Sequence, residues 1–400
     1  MKILQLTKKF PFPLKDGESI AVTNLSKALV AHGCEMTLLS MNTSKHFVDI
    51  DTLPDSYNHY NSIHTVYLDN RVTAVGAVSN LFSSASYHVS RFDFKEYREA
   101  LIQLLKTNTY DIIQLETLYL APYVETIKKY SRAKVVMRSH NVEFEIWNRV
   151  VECTVNLPKK WYLRYLTKKL KDFEIERLDH YDAIVTVTQK DLDKYINLGY
   201  HKKGIASPIG VDISRYQPRE NTSKNPSLSF IGSLDWMPNL DGLDWFLSEV
   251  YSGILKEYPT LKFHIAGRNT PASIEDMSGA NVLIHGEVDS AVDFINDHPI
   301  MIVPLLSGSG MRVKILEGMA LKKVVISTAI GAEGIPAVHE DSILIANSPV
   351  EFLECVKWLM DDPDRIERIG QNARAFIAEN FDESRNAQKL VEFYHTLFEV

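Results

Sequence analysis

Ser307-Gly308-Ser309-Gly310-Met311-Arg312-Val313-Lys314-Ile315-Leu316-Glu317-Gly318-Met319-Ala320 is the stretch on which the reading of this chain turns. The hydrophobic run Ile300-Met301-Ile302-Val303-Pro304-Leu305 leads into it and predicts a strand. Past Gly310, the apolar residues Val313, Leu316, Met319 and Ala320 fall at helical spacing. A loop of small residues therefore joins a strand end to a helix start, where unpaired backbone N–H groups and the helix dipole favour an anion. Arg312 and Lys314 add two cations in the first turn, and Glu317 stands one turn on, where a carboxylate can accept from a sugar diol. Together these residues predict a site for a nucleoside diphosphate. The alternative is a tight turn before a core helix with solvated charges.

The 400 residues exceed the usual size of one hydrophobic core, so two domains are expected. No run approaches the roughly 18 apolar residues of a spanning helix. The opening Met1-Lys2-Ile3-Leu4-Gln5-Leu6-Thr7 reads as a first strand and lacks the features of a signal peptide. Cys34, Cys153 and Cys355 have neither pairing nor metal spacing, which fits a reducing, cytoplasmic setting. The net charge of −7 is unevenly spread. Residues 1–200 hold 26 Lys/Arg against 23 Asp/Glu, and residues 201–400 hold the other 18 against 28. This fits two domains with different partners and argues against nucleic acid, which would want a strongly basic domain.

Strand and helix signals alternate throughout, which predicts an α/β fold of doubly wound parallel sheets. Strands are expected near 3–7, 36–40, 112–116, 134–138 and 183–188, with a helix over 18–32 stopped by Gly33. Residues 41–93, rich in Ser, Asn, His and Tyr, read as a variable, partly loop-like excursion. Gly204, Pro208, Gly210, Pro218 and Pro226 mark 200–226 as a linker. Strands then resume near 228–232, 261–266, 282–285, 300–305, 324–327 and 343–346, and 349–400 is nearly all helical. The domains implied are 1–205 on the acceptor side, 206–380 on the donor side, and a final helix over 381–400 packing back on the first. Open α/β sheets bind ligands at the carboxyl ends of their strands. Asp16 and Gly17, Glu116, His140 and Asn141, Gly267 and Arg268, and the 307–317 loop all follow strands.

With these residues in place, the sequence resembles glycosyltransferase family 4, the retaining, nucleotide-sugar-dependent glycosyltransferases of GT-B fold. The most specific element is 308–320 with the following Leu321-Lys322-Lys323-Val324-Val325-Ile326-Ser327-Thr328. Gly331-Ala332-Glu333-Gly334-Ile335, Gly210-Val211-Asp212, Phe230-Ile231-Gly232, Ala266-Gly267-Arg268 and the 372–381 segment complete the match. The resemblance implies two Rossmann-like domains facing an interdomain cleft. It also implies a nucleotide-sugar donor, a glycan, lipid-linked or small-molecule acceptor, and no cofactor or metal. A bacterial surface-polysaccharide pathway follows by the same analogy.

Residue by residue, the resemblance assigns the donor diphosphate to Gly308, Ser309 and Gly310 with Arg312 and Lys314, and the ribose to Glu317. Gly286-Glu287-Val288 matches the loop whose backbone contacts the base. Arg268 follows a strand and a glycine, a position from which it can reach the donor or form a surface salt bridge. His140 matches the histidine facing the transferred sugar, its alternative being a helix cap or packing beneath a loop, and Gly17 matches the glycine loop near the donor phosphates. Asp16, Glu116 and Asn141 are candidates on the acceptor side, although Glu116 can equally face away from the cleft and Asn141 can equally start the next helix. Three departures stand out. Ser309 occupies the position of the first of two family glutamates. The segment Gly232-Ser233-Leu234-Asp235-Trp236-Met237-Pro238-Asn239 lacks the family's arginine and lysine, so Arg312 and Lys314 are expected to compensate. Asp16-Gly17 stands where two glycines are common.

Other readings compete. Nucleotide-sugar epimerases share this architecture, and a degenerate sugar-nucleotide-binding protein would bind without turnover. A dinucleotide-dependent dehydrogenase is disfavoured, because Lys8-Lys9-Phe10-Pro11 follows the first strand instead of a glycine fingerprint. The basic, aromatic stretch 159–171 fits an interfacial helix touching anionic lipid. Leu163, Leu166, Leu170, Phe173 and Leu178 form a core-facing stripe there, however, and favour a solvated helix. Trp236, Trp245 and Phe246 read as packing.

Overall fold

A computed structural model of the chain describes residues 1–14, 17–69, 86–219, 226–308 and 311–399. They form two compact units, Met1–Gly210 with Glu383–Val400, and Val211–Asp382. Asp16, Ser309 and Gly310 lie outside the described residues.

The first unit is built on seven parallel strands: β1 (Lys2–Thr7), β2 (Glu35–Thr43), β3 (Ser62–Leu68), β4 (Ile112–Leu115), β5 (Lys134–Ser139), β6 (Ala183–Thr186) and β7 (Lys203–Ala206). Their order is β3-β2-β1-β4-β5-β6-β7. Successive side chains on a strand point to opposite faces, and both faces here are covered. Leu4, Leu6, Ile113, Leu115, Val135 and Met137 pack on one side, against the helices Lys95–Thr107 and Val124–Tyr130. Ile3, Met36, Leu38, Ile112, Val136 and Val185 pack on the other. There they meet Leu25 and Leu29 of the helix Gly17–Ala31, and Leu390 and Tyr394 of the helix Glu383–Thr396. Gly33, at φ +80°, ends the first of these helices.

The second unit holds β8 (Leu228–Ile231), β9 (Phe263–Ala266), β10 (Val282–Gly286), β11 (Ile300–Val303), β12 (Val324–Ser327) and β13 (Leu344–Ile345). All are parallel, in the order β10-β9-β8-β11-β12-β13. β11 stops before Pro304, which has no N–H to offer a ladder.

Two expectations need correction. Residues 200–226 do not form a linker throughout, because Lys203–Ala206 pairs with β6 as an edge strand. Within 41–93, β2 continues to Thr43 and Ser62–Leu68 is β3, the opposite edge; residues 70–85 lie outside the described residues. Both edges are partly exposed, so their sequences carry polar residues (Ser62, His64, Thr65) or a glycine (Gly204), which hide the strand signal. Among the described residues no helix is long and apolar enough to cross a membrane.

The strand order reverses between β1 and β4 in the first unit and between β8 and β11 in the second. At such a reversal the flanking connections leave on opposite faces of the sheet and open a crevice at the carboxyl ends.

Candidate functional site

In the second unit the β8–β11 crevice is crossed by a lysine. The helix Val313–Ala320 follows β11, and Arg312 is its N-cap residue. Lys314 extends from its first turn to the end of β8, donating to Ile231 O at 3.2 Å and Asn239 Oδ1 at 2.8 Å. The segment 232–239 carries no cation of its own, and Lys314 brings one to it. A Cβ on Gly232 would stand 3.1 Å from Lys314 Nζ and 2.8 Å from Asn239 Nδ2, so the fit depends on glycine there. Burial, and next the charge of Arg312, push the Lys314 ammonium down to about 7, against the pull of Glu317.

Arg312 is buried, with its guanidinium 5.6 Å from the centroid of the Trp236 ring. Gly308, at φ +110°, lets the loop pass this pair: a Cβ would lie 2.9 Å from Arg312 Nη2 and 3.6 Å from Trp236. Glu317, one helical turn beyond Lys314, accepts from Tyr216 Oη at 2.8 Å. Burial raises its carboxyl pKa, opposed by the Tyr216 hydrogen bond and the Lys314 charge. Arg268 is exposed after β9, and its carbonyl accepts from Leu234 N at 2.9 Å. Gly286 ends β10 at φ +65°, its carbonyl accepting from Gly267 N at 2.8 Å. Val288 is half-buried against Ala266 and Leu321. The segments after β9, β10 and β11 thus present Arg268, Gly286, Gly308, Arg312 and Lys314 at the carboxyl ends of one sheet, and Lys314 reaches across to the loop after β8.

In the first unit the β1–β4 crevice holds a buried carboxylate paired with a guanidinium. Glu116, just past β4, is fully buried. Its Oε1 accepts from Gln5 and from Gln114, each at 2.5 Å, and its Oε2 from Arg138 Nη1 at 2.8 Å. Nε2 of His140 lies 3.2 Å from the same Oε2. Burial would raise the Glu116 pKa, but the Arg138 guanidinium, then the hydrogen bond and charge of His140 and the Gln5 amide, hold it at about 2. Tyr60 donates to Gln5 Oε1 at 2.8 Å, and Tyr394 of the last helix donates to Gln114 Oε1. Glu116 therefore lies fully beneath the surface, where it holds Arg138 and His140.

His140 is partly exposed at the end of β5. Asn141 is half-buried, and its carbonyl accepts from Ser139 Oγ at 2.7 Å. Gly17 is exposed at the start of its helix, and a Cβ there would meet nothing among the described residues, so their packing does not demand glycine. Behind His140, Glu174 accepts from the backbone N–H of Glu143 and Phe144, each at 3.1 Å, and from Tyr195 Oη at 2.6 Å.

Sequence reasoning missed Gln5, Gln114, Asn239, Tyr216 and Trp236. Gln5 and Gln114 did carry a signal, each being an amide inside an apolar strand run, Ile3-Leu4-Gln5-Leu6 and Ile112-Ile113-Gln114-Leu115. A buried amide needs partners, and here both find Glu116. Trp236 separates from its expected cluster. It is 41% exposed, whereas Phe246 is fully buried and Trp245 packs at 5.8 Å on Phe352. Tyr216 gave no signal.

Comparisons with known proteins agree with this architecture. Residues 16–215 match the family profile described as Glycosyltransferase Family 4, and residues 225–362 the one described as Glycosyl transferases group 1. An uncharacterized 44.6 kDa protein in the cps region of Klebsiella pneumoniae is 25% identical over 298 residues, which span 72% of this chain and 75% of that protein. The glycosyltransferase 1 domain-containing protein 1 of Xenopus tropicalis is 25% identical over 143 residues, 34% of this chain and 41% of that protein. Among solved structures, sucrose-phosphate synthase from Thermosynechococcus elongatus has a TM-score of 0.69 at 16% identity, covering 100% of this chain and 99% of its own. Anabaena HepE in complex with UDP has a TM-score of 0.66 at 14% identity, covering 99% of this chain and 100% of its own. At such identities the likeness establishes the fold.

Proposed function

From the premise that the chain belongs to glycosyltransferase family 4 and has the GT-B fold, we propose that this glycosyltransferase moves a sugar from a nucleoside-diphosphate sugar to an acceptor hydroxyl, with retention and without a metal. The observation that carries this reading is the Lys314 ammonium held at the β8–β11 crevice, with Arg312 at the start of the same helix. In the reaction the bond between the anomeric carbon and the β-phosphate oxygen breaks. The acceptor oxygen bonds the same carbon on the same face, and its proton passes to the departing phosphate. Negative charge develops on that phosphate, so preorganised cations lower the barrier as it leaves. Arg312, Lys314 and the loop at Gly308 serve the diphosphate, and Glu317, steadied by Tyr216, serves the ribose. Gly286 and Val288 serve the base, and Arg268 and Gly17 extend the donor side. His140 takes the place beside the transferred sugar that the family resemblance gives it, oriented by Glu116.

UDP in the Anabaena structure supports a nucleotide in sites of this kind, and the cps region of the Klebsiella relative supports polysaccharide assembly, with a glycan or lipid-linked acceptor. The reading is tested by thermal stability of the purified protein against UDP, GDP, dTDP, ADP and CMP, with Arg312→Ala in parallel. A ligand at a hundred times its dissociation constant adds about 2.7 kcal/mol. One nucleoside diphosphate should stabilise the protein and lose its effect in the variant. No response to any of the five would refute the donor site.

A further inference from the structure

One turn of the first unit shows apolar side chains to water. The helix Glu143–Cys153 gives way within three residues to the helix Leu157–Arg177. Asn156 caps the second, its side chain accepting from Lys159 N at 2.9 Å. Around this turn Val155 is 92% exposed, Leu157 76%, Trp161 68% and Val150 41%. Helical spacing sets Leu157, Trp161, Arg164 and Lys168 along one line, at i, i+4, i+7 and i+11. Leu166, Leu170 and Glu174, all buried, take the opposite side. The core-facing stripe seen in the sequence therefore accounts for one side of this helix, and Leu157, Trp161, Arg164 and Lys168 lie exposed on the other.

That outer side is basic. Residues 149–171 contain seven Lys/Arg (Arg149, Lys159, Lys160, Arg164, Lys168, Lys169, Lys171) against Glu152 alone. Without them, residues 1–200 would hold nineteen basic residues against twenty-two acidic, so the surplus of the first half resides in this hairpin. Trp161 and Tyr165 stack with centroids 6.3 Å apart and planes within 6°, and Lys169 lies 4.5 Å over the Tyr165 ring. The hairpin is also anchored: Glu174 ties the second helix to the first backbone N–H groups of the other. Leu157 is seventeen residues from Glu174, about 25 Å along the helix axis.

We propose that this turn docks the protein on an anionic lipid bilayer. Val155, Leu157 and Trp161 enter the interface, and Lys159, Arg164 and Lys168 meet the headgroups. Apolar residues at a tip, flanked by cations and an aromatic pair, match the layering of such a surface. A second copy of the chain is the poorer occupant, since a twofold contact through this patch would set each copy's cations against the other's. The inference deepens the lipid-linked reading of the acceptor and rests on it only for its purpose; the docking itself needs no donor.

The test is co-sedimentation of the full chain with vesicles of phosphatidylcholine alone or mixed with phosphatidylglycerol, without nucleotide. The protein should partition onto the mixed vesicles and come off with salt. Replacing three apolar residues together (Val155→Ser, Leu157→Ser, Trp161→Ser) should weaken partition at least about tenfold. Reversing three charges (Lys159→Glu, Arg164→Glu, Lys168→Glu) should weaken it about a hundredfold or more, since each basic residue at an anionic surface counts for about fivefold. Thermal stability should be unchanged in both variants, because every replaced side chain is exposed. No preference for anionic vesicles would overturn the proposal, as would partition surviving in both variants. A dimer in solution that the serine variant abolishes would overturn it in favour of a second copy. A protein that binds vesicles but no nucleotide would refute the donor site and leave the docking standing.

Discussion

Replacing Lys314 with methionine should make the ligand-free protein more stable and unresponsive to nucleotide. Burial, with the Arg312 charge, lowers the Lys314 pKa from 10.5 to about 7. At about 1.36 kcal/mol per pKa unit, the upper limit on what the charged form costs the fold is about 5 kcal/mol. Methionine keeps the length and removes the charge, but forgoes the hydrogen bonds to Ile231 O and Asn239 Oδ1, worth about 1 kcal/mol each. It also loses the cation's position 4.5 Å over the Phe230 ring, worth roughly another 1 kcal/mol. A net gain of about 1–2 kcal/mol remains, which raises Tm by about 2–4 °C per kcal/mol for a unit of this size. The pH dependence identifies the cause. The unfolded chain binds the Lys314 proton more tightly than the folded one, so wild-type stability rises with pH between about 7 and about 10.5. The penalty is complete below that window and absent above it, so the advantage of the variant should be greatest near neutrality and shrink as pH rises. Calorimetry or dye-monitored melting across that window, with and without the stabilising nucleoside diphosphate, reads all of this. A variant less stable than wild type near pH 7, or an advantage that does not change with pH, would refute the account of a strained ammonium. A nucleotide response that survives would remove Lys314 from the site.

Three further perturbations probe the rest of the frame. Glu116→Gln leaves the Arg138 guanidinium, 2% exposed, buried without its carboxylate, and should destabilise the first unit by about 3–5 kcal/mol in chemical denaturation. Joining it to Arg138→Met should recover most of that loss, and additive losses would deny the coupling. Gly308→Ala forces a side chain into φ +110° and against Arg312, so about 1–3 kcal/mol of strain should appear as weaker nucleotide binding in calorimetric titration; unchanged affinity would free the loop from the site. Burial first, and neighbouring histidine charges second, push His264 down to about 4 and His298 down to about 3. The unfolded chain therefore binds more protons as pH falls below about 6.5, and the second unit should lose stability from there down to about 3. His264→Gln with His298→Gln should flatten this acid limb in melts followed against pH, and an unchanged limb would place its origin elsewhere.

The central strands were legible because burial on both faces demands continuous apolar runs, as in Ile300-Met301-Ile302-Val303 and Val324-Val325-Ile326. The edges of the first sheet were not, because β3 and β7 are half-exposed and tolerate Ser, His, Thr, Lys and Gly. Within the site, Arg312, Lys314 and Glu317 were legible because they fall within a single helical turn and a half of a glycine loop. Their partners could not be read in that way. Tyr216 meets Glu317 from 101 positions away, and Asn239 meets Lys314 from 75, contacts that exist only once the sheet sets β8 beside β11. Glu116 was recognised as a residue after a strand, but its depth was not. That depth follows from Gln5, Gln114 and Arg138 converging on it from three neighbouring strands, a pattern that no local window contains.

The two crevices treat buried charge in opposite ways, and the contrast bears on what each can do. Around Glu116 a guanidinium and two amides share the two carboxylate oxygens, so the ion is satisfied and its pKa is held near 2. A charge so well matched gains little from a further ligand, which suits an element that orients His140. Around Lys314 the partners are a carbonyl and an amide oxygen, neutral dipoles that do not offset the loss of water, and the ammonium is close to losing its proton near neutrality. Much of its desolvation then precedes any ligand, although the side chain is only half-buried. An incoming diphosphate meets a cation already partly stripped of water, and gains the attraction at less of that cost. It also raises the lysine's pKa, so binding should draw in a proton and weaken as pH climbs above about 7. Stability of the empty protein and affinity for the nucleotide are therefore opposed at this one side chain, which is why Lys314→Met is expected to raise the first as it removes the second.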